Sequence, residues 1–216
     1  TVIVWRKGNW EQVATLKGHS LDVLALVVDD EYLCSGSSDH TVVVWRKGSW
    51  EKLAVIEEHS DPVTALAVDG EFLYSGSSDN TVAVWRRGSW KKEATLRGHS
   101  ASVTALVVDD TYLYSGSFDN TVIVWRKESW ERVATLKGHT RDVLALAVNN
   151  EHLYSGSADN TVVVWCKESW KKVATLEEHS RGVCALTVGD EHLYSGDGDN
   201  TVFVWRKEIW KKQKNY

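Results

Sequence analysis

Five histidines, five serines and five aspartates recur in this chain at one fixed spacing. For a histidine at position i, a serine stands at i+16 and an aspartate at i+20: His19, Ser35, Asp39; His59, Ser75, Asp79; His99, Ser115, Asp119; His139, Ser155, Asp159; His179, Ser195, Asp199. A hydroxyl nucleophile, an imidazole base and a carboxylate to orient it are the parts of a hydrolytic triad. A catalytic constellation, however, occurs once, with its nucleophile exposed beside an oxyanion pocket. Five copies in phase argue for packing, so no enzyme is expected. The other histidines, His40, His152 and His192, fall in turns or at strand starts, where solvation is expected rather than ligation. No Cys/His grouping has metal-ligand spacing. Neither a metal nor a cofactor is expected.

The elements that must position these residues come from a sequence repeat, present five times in full and followed by the start of a sixth copy. The copies begin at Thr1, Thr41, Thr81, Thr121, Thr161 and Thr201, each reading Thr-Val-x-Val-Trp, with a second Trp at the fifth position after the first. Such a period fixes a modular architecture in which each unit leans on its neighbours. Four short strand signals fill each unit. In residues 21–60 they are Val23–Val28, Tyr32–Ser35, Thr41–Trp45 and Trp50–Ile56, separated by Asp, Gly, Ser and Asn clusters. Short β-branched and aromatic runs so divided predict an antiparallel meander, and nothing sustains a helical period. Pro62 precedes a strand and breaks no ladder. Runs such as Val103-Thr104-Ala105-Leu106-Val107-Val108 are apolar on both sides, which requires layers above and below each sheet. Radial stacking of four-stranded blades provides them.

Composition narrows the function classes. Net charge is −5, which argues against general binding of nucleic acid or an anionic membrane. The 12 tryptophans occupy two repeat positions. Cys34, Cys166 and Cys184 replace different residues of the repeat and have no pairing pattern, so a reducing, cytoplasmic setting is expected. No signal peptide and no long apolar span is seen, which predicts a soluble chain. There is no methionine, even at position 1, so the chain is expected to be processed or part of a longer reading frame.

Each complete unit resembles a repeat of the WD-repeat β-propeller family: a His closing the fourth strand, a strand, a Ser-Gly-x-x-Asp turn and Thr-Val-x-Val-Trp. The resemblance covers essentially the whole chain. It implies an all-β propeller of radially arranged four-stranded antiparallel blades, about five in this chain, forming one domain over 1–216 or a fragment of one. It also implies that four side chains per blade join in one hydrogen-bonded network: His19, Ser35, Asp39 and Trp45; His59, Ser75, Asp79 and Trp85; His99, Ser115, Asp119 and Trp125; His139, Ser155, Asp159 and Trp165; His179, Ser195, Asp199 and Trp205. Trp5 is left without partners. The chemistry agrees, because an indole N–H can only donate and a buried one needs an acceptor. His40, Asn80, Asn120, Asn160 and Asn200 follow each Asp, where φ > 0 and a tight turn are expected. Two features depart from the family. The Asp after the Trp is replaced by Arg6, Arg46, Arg86, Arg126, Cys166 and Arg206, and the Gly before His becomes Glu58 and Glu178 in two units.

The second Trp (Trp10, Trp50, Trp90, Trp130, Trp170, Trp210) is expected to begin the outermost strand and pack across to the adjacent blade. A ring of sugar-stacking platforms, as in a lectin-like propeller, is the alternative. Turns between the first and second strands are acidic (Asp29, Asp69, Asp109, Asp190) and those between the third and fourth are basic (Lys47, Arg87, Lys127, Lys207). Weakly paired, solvated turns are expected there.

The repeats differ most around the start of the first strand. Asp22 and Leu24, Pro62 and Thr64, Ser102 and Thr104, Asp142 and Leu144, Gly182 and Cys184 flank its first Val. Ser38, Ser78, Phe118, Ala158 and Gly198 precede the turn Asp. In WD-repeat proteins these positions surround the channel mouth and contact peptides. The resemblance therefore implies a non-catalytic protein-interaction scaffold, a signalling adaptor with a protein or peptide partner. Phe118 is the sharpest contact, and Asp22 and Asp142 favour a basic peptide. The repeat count leaves the ring open: the third strand occurs at both ends. Further blades before Thr1 are the preferred explanation, and residues 9–17 completing the blade of 181–205 the alternative. Open sheet edges are expected to drive self-association.

Overall fold

The computed structural model describes residues 1–207, so Trp210 lies outside the described residues. Every regular element among them is a β-strand. The chain forms two compact units, Thr1–Arg97 and Gly98–Tyr216.

In the first unit, β1 (Val2–Trp5) and β2 (Gln12–Leu16) form a two-stranded sheet. Two four-stranded antiparallel sheets follow in chain order: β3 (Val23–Val28), β4 (Tyr32–Ser37), β5 (Thr41–Arg46) and β6 (Lys52–Glu57), then β7 (Val63–Val68), β8 (Phe72–Ser77), β9 (Thr81–Arg86) and β10 (Lys91–Arg97). The second unit holds β11 (Val103–Val108), β12 (Tyr112–Ser117), β13 (Thr121–Arg126) and β14 (Arg132–Lys137), then β15 (Val143–Val148), β16 (His152–Ser157), β17 (Val162–Cys166) and β18 (Lys172–Leu176). A three-stranded sheet of β19 (Val183–Val188), β20 (His192–Asp197) and β21 (Val202–Arg206) ends it. Of the five blades expected, four therefore have all four strands among the described residues. Residues 12–16 form β2, which is bonded to β1 with Val2 opposite Leu16.

The apolar strand β5 shows why the sheets stack. Side chains alternate across a strand, so Val42 and Val44 face one way and Val43 and Trp45 the other. Val42 and Val44 pack with Val63, Leu73, Ala83 and Trp85 of the next sheet. Val43 and Trp45 pack with Val2, Leu16 and Leu33. The second unit repeats this, with Val122 and Val124 packed on Val143, Leu153, Val163 and Trp165. Thr-Val-x-Val-Trp lacks polar alternation because both its faces are buried.

Two boundaries differ from the sequence reading. Gly36 and Ser37, read as turn, are the last residues of β4. A Cβ at Gly36 would sit 2.6 Å from Val63 Cγ1, and at Gly116 2.7 Å from Val143 Cγ1. The glycine is thus a strand residue on which the next sheet's first valine rests directly. The second Trp does not begin the outer strand either. Trp50 lies in the turn before β6, with φ +58°, and its N–H donates to Arg46 O at 2.8 Å. Trp10, Trp90, Trp130 and Trp170 share this left-handed conformation, which costs a bulky residue roughly 1–3 kcal/mol. The Asn turns are as expected, with φ +70° at Asn80 and +69° at His40.

Gly116→Ala should therefore destabilise by overpacking, by about 1–3 kcal/mol, since neither the sheet nor Val143 has room to withdraw. Urea unfolding would check this, and a variant as stable as the parent would contradict the close approach.

Candidate functional site

The histidine, serine, aspartate and tryptophan of the first four complete sheets meet in one geometry. In the third, Trp125 Nε1 donates to Ser115 Oγ at 2.9 Å, Ser115 Oγ lies 2.8 Å from His99 Nε2, and His99 Nδ1 lies 2.8 Å from Asp119 Oδ2. With Nδ1 as the protonated nitrogen, every proton has an acceptor: indole to serine, serine to imidazole, imidazole to carboxylate. The carboxylate also ties its own turn, for Thr121 N and Thr121 Oγ1 donate to Asp119 Oδ1 at 3.0 and 2.6 Å. Asp119 N donates to Ser117 Oγ. The sets at His19, His59 and His139 are built alike. Although Ser, His and Asp stand at triad distances, the serine cannot attack a substrate. Ser35, Ser75, Ser115 and Ser155 are 0% exposed, roofed by the indoles.

The fifth set is a correction. His179 Nδ1 bonds Asp197 Oδ2 at 2.7 Å, not Asp199. Asp197 stands where the other repeats have Ser37, Ser77, Ser117 and Ser157, and it brings a carboxylate to the imidazole first. Asp199 is displaced: its Oδ2 accepts from Ser180 Oγ, and its Oδ1 is buried with no hydrogen-bond partner among the described residues. Ser195 still receives the Trp205 indole N–H at 2.7 Å.

A second buried lock was missed in the sequence. Tyr74 and Tyr114 are 0% exposed, and their hydroxyls donate to Asp69 and Asp109 at 2.7 and 2.8 Å. Burial first, and then those carboxylates, raise both phenols. The signal was present, as an Asp five residues before a recurring Tyr. Nor are the charged turns merely solvated. Arg87 pairs with Asp29 of the preceding sheet at 2.7 Å and Lys167 with Asp109 at 2.6 Å, all four side chains mostly buried.

Two of the second tryptophans lean on the preceding sheet of their own unit. Trp90 meets Tyr32 edge to face at 5.0 Å, and Trp170 meets Tyr112 at 5.1 Å. Trp10, by contrast, is exposed.

The variable positions gather where the first strand starts. In each of four sheets one backbone bond ties them to the turn: Ser38 N to Asp22 O, Ser78 N to Pro62 O, Phe118 N to Ser102 O and Ala158 N to Asp142 O, at 2.9 to 3.0 Å. Their side chains divide into two groups. Asp22, Leu24 and Phe118 are exposed, Asp142 and Leu144 half-buried. Thr64 and Thr104 instead donate to Gly76 O and Gly116 O, spanning the bulge after the first valine. Cys184 is exposed, its thiol 3.8 Å from Gly196 O. In the second unit neighbouring positions touch: a Cβ on Gly182 would lie 3.1 Å from Ala158 Cα and 3.5 Å from Leu144 Cδ1. Among the described residues no three His, Cys, Asp or Glu side chains group as metal ligands, and no helix could cross a membrane.

A family model described as WD domain, G-beta repeat matches residues 10–46, 50–86, 90–126, 130–166 and 170–206. The chain belongs to that family, and its fold class is the all-β propeller, with five blades and a partial sixth. Such propellers are generally non-catalytic scaffolds for protein interaction. Among solved structures it is similar to the computationally designed Ika8 protein, at 33% identity and TM-score 0.85, over 94% of this chain and 64% of that one. It is also similar to U3-55K, at 31% identity and TM-score 0.83, over 89% of this chain and 63% of that one. The chain thus spans less than two thirds of either. No curated protein matches it.

The network predicts an acid response. Burial pushes the Asp119 carboxyl up, but the Thr121 hydroxyl, the Ser100 amide and His99 outweigh it and hold the group below its ordinary value. A carboxyl lowered by folding contributes stability above its unfolded pKa of about 4, and that stability is lost as pH falls through the folded value. At neutral pH Asp119→Ala should lose about 1–3 kcal/mol, as an orphaned buried partner does. Parent and variant should converge in urea unfolding as pH drops below about 4. A constant gap down to the acid limit would contradict the assignment.

Proposed function

We propose that this chain is a protein-interaction scaffold without chemistry of its own, binding a peptide or protein on the face where first strands start. In WD-repeat proteins this is the channel-mouth face. The observation that carries the proposal is a constant frame with variable side chains. One backbone bond recurs there in four blades, while the residues it presents change from Asp22 and Ser38 to Ser102 and Phe118. Phe118 is the anchor, 46% exposed where its equivalents are serine, alanine or glycine. A large apolar side chain held on a fixed frame loses little freedom on docking. Asp142 and Leu144 are the further contacts in the unit that holds Phe118; in the first unit, taken by itself, Asp22 and Leu24 hold the same repeat positions, and each carboxylate favours a basic peptide. Thr104 and Cys184 border this site, and Thr64 holds the corresponding position in the first unit, the threonines serving mainly to hold the bulge.

A cytoplasmic signalling adaptor is part of the same proposal. All three cysteines are free, and burial pushes the Cys34 thiol up to about 12, which keeps it unreactive. Nucleic acid and membrane are not proposed as partners.

Peptides selected from a random display library on the parent should bind Phe118→Ala at least ~10-fold more weakly, about 1.4 kcal/mol, with an unchanged unfolding midpoint. Equal affinity for parent and variant would overturn the site.

A further inference from the structure

A groove of about 770 Å3 runs beside the sheet of β11, β12, β13 and β14, within the ~300–1,000 Å3 of ligand clefts. Every residue lining it belongs to the second unit. Gly98 comes from the connection before β11, Asp119 and Thr121 from the tight turn and the start of β13, and Arg132, Thr135 and Lys137 from the outer strand β14. An irregularity in β14 decides what that strand presents. Arg132 lies opposite Trp125, Ala134 opposite Val124 and Lys137 opposite Thr121, which leaves Val133 as an extra residue. Opposed residues share a face, and Thr121, Ile123 and Trp125 alternate along β13 onto one face. Arg132 and Lys137, five positions apart, therefore share that face with Thr135. A regular strand would send them to opposite faces. Their partners on β13 are four residues apart, so the two cations stand about 14 Å from each other along the sheet. The connection crosses the same face, since a Cβ on Gly98 would lie 3.0 Å from Trp125 Cη2 and 3.1 Å from Ile123 Cδ1.

Arg132 and Lys137 are exposed, and neither enters an ion pair among the described residues. The carboxylate lining the groove is already taken: the Asp119 oxygens accept from Thr121 N and Oγ1, from Ser100 N and from His99. The first unit, by itself, shows what such a cation binds. There Lys92 holds the repeat position of Arg132, and Glu58 that of Gly98. Glu58 pairs with Lys92. The groove lined by Glu58, Thr95 and Arg97 measures about 200 Å3. In the second unit Gly98 supplies no carboxylate, and Arg132 has none. The residues at the positions of Gly98 and Lys137 in the four complete sheets are Gly18 and Glu57, Glu58 and Arg97, Gly98 and Lys137, and Gly138 and Glu177. Only the third sheet joins a glycine to a cation.

We propose that this groove takes an extended acidic peptide, whose carboxylates four residues apart are bound by Arg132 and Lys137. Side chains of an extended segment return to the same side every second residue, so positions i and i+4 stand about 14 Å apart and match the two cations. The carboxylate on Arg132 does there what Glu58 does for Lys92 in the first unit. Thr135, on the same face, offers a hydroxyl to the peptide backbone. β14 has a neighbouring strand on one side only, so its outer edge is open to an extended segment. Phe118 does not line the groove, and the proposal does not rest on the contact assigned to it.

Fluorescence anisotropy of labelled, capped nonapeptides on the full chain is the measurement. Ser-Val-Glu-Thr-Val-Thr-Glu-Val-Ser, with its glutamates four apart, should bind the parent saturably. The same composition with glutamates three apart, on opposite sides of an extended chain, should bind at least ~5-fold more weakly, and the version with two glutamines at least ~10-fold. Lys137→Glu introduces the residue that the outer strands already carry as Glu57 and Glu177, so its unfolding midpoint should be unchanged. It should bind the diglutamate peptide at least ~10-fold more weakly, as should Arg132→Gln. One of the two peptides with a single lysine in place of a glutamate should recover the affinity for Lys137→Glu. Absence of saturable binding by the parent would overturn the proposal, as would equal affinity for the two spacings or an affinity that Lys137→Glu and Arg132→Gln leave unchanged.

Discussion

An indole buried between two sheets brings one N–H that can only donate, and much of each blade is arranged to receive it. The acceptor cannot be water, since the indoles of Trp45, Trp85, Trp125 and Trp165 are nearly fully covered. It is a serine hydroxyl on the neighbouring strand, whose own proton must go further, to an imidazole and through it to a carboxylate. Each step forces the next into place. The serine must lie on the second strand opposite the third, the histidine must return from the outer edge, and the aspartate must sit in the turn joining second strand to third. One satisfied hydrogen-bond chain thereby fixes the loop from the preceding repeat, the tight turn and the third strand together. The frame that presents Phe118 and Asp142 is held by the same turn, because the residue before each turn aspartate is bonded to the start of the first strand.

Blade stacking follows from a simpler constraint. A strand apolar on both faces must be covered twice, and the repeat supplies both covers by presenting Val42 and Val44 forward and Val43 and Trp45 backward. This also accounts for the glycine at 36 and 116, where the backbone of one sheet serves as the surface on which a valine of the next one rests. One interface in each unit also carries a polar tie, Arg87 to Asp29 in the first and Lys167 to Asp109 in the second. Their partial burial sets them apart from ordinary surface pairs, which contribute little.

Much of this was legible in the residues. The period marked out the strands, and the one-way chemistry of the indole pointed to its serine, histidine and aspartate. What was not legible turned on distance and conformation. Gly36 reads as a turn residue because glycine marks turns more often than close contacts, and only the approach of Val63 separates the two. Trp50 reads as a strand residue because aromatic residues favour strands. Its contacts with the preceding sheet outweigh the strain of a left-handed backbone that no propensity would assign to it. The Asp69–Tyr74 pair lies within one repeat at a spacing of five, visible once sought, but hidden by the assumption that acidic turns are solvated.

Asp197 shows where alignment by column and chemistry part. By position, Asp199 is the imidazole's partner, since it occupies the aspartate column of the repeat. Chemistry is indifferent to the column: a second carboxylate placed two residues earlier reaches His179 first and makes the same charge-assisted bond. The indole, the serine and the histidine remain satisfied, so the blade keeps its ladder. Asp197 also accepts from Asp199 N at 3.2 Å and from Thr201 N at 3.4 Å, so it takes over the tie between imidazole and turn. The cost falls on Asp199, whose Oδ1 is buried with no hydrogen-bond partner among the described residues. A carboxylate moved by two residues can therefore close the same hydrogen-bond chain from a new position. The network stabilises a blade by closing its chain of donors. Which column supplies the closing carboxylate matters less than whether that carboxylate also reaches the turn, as Asp197 does through Asp199 N and Thr201 N.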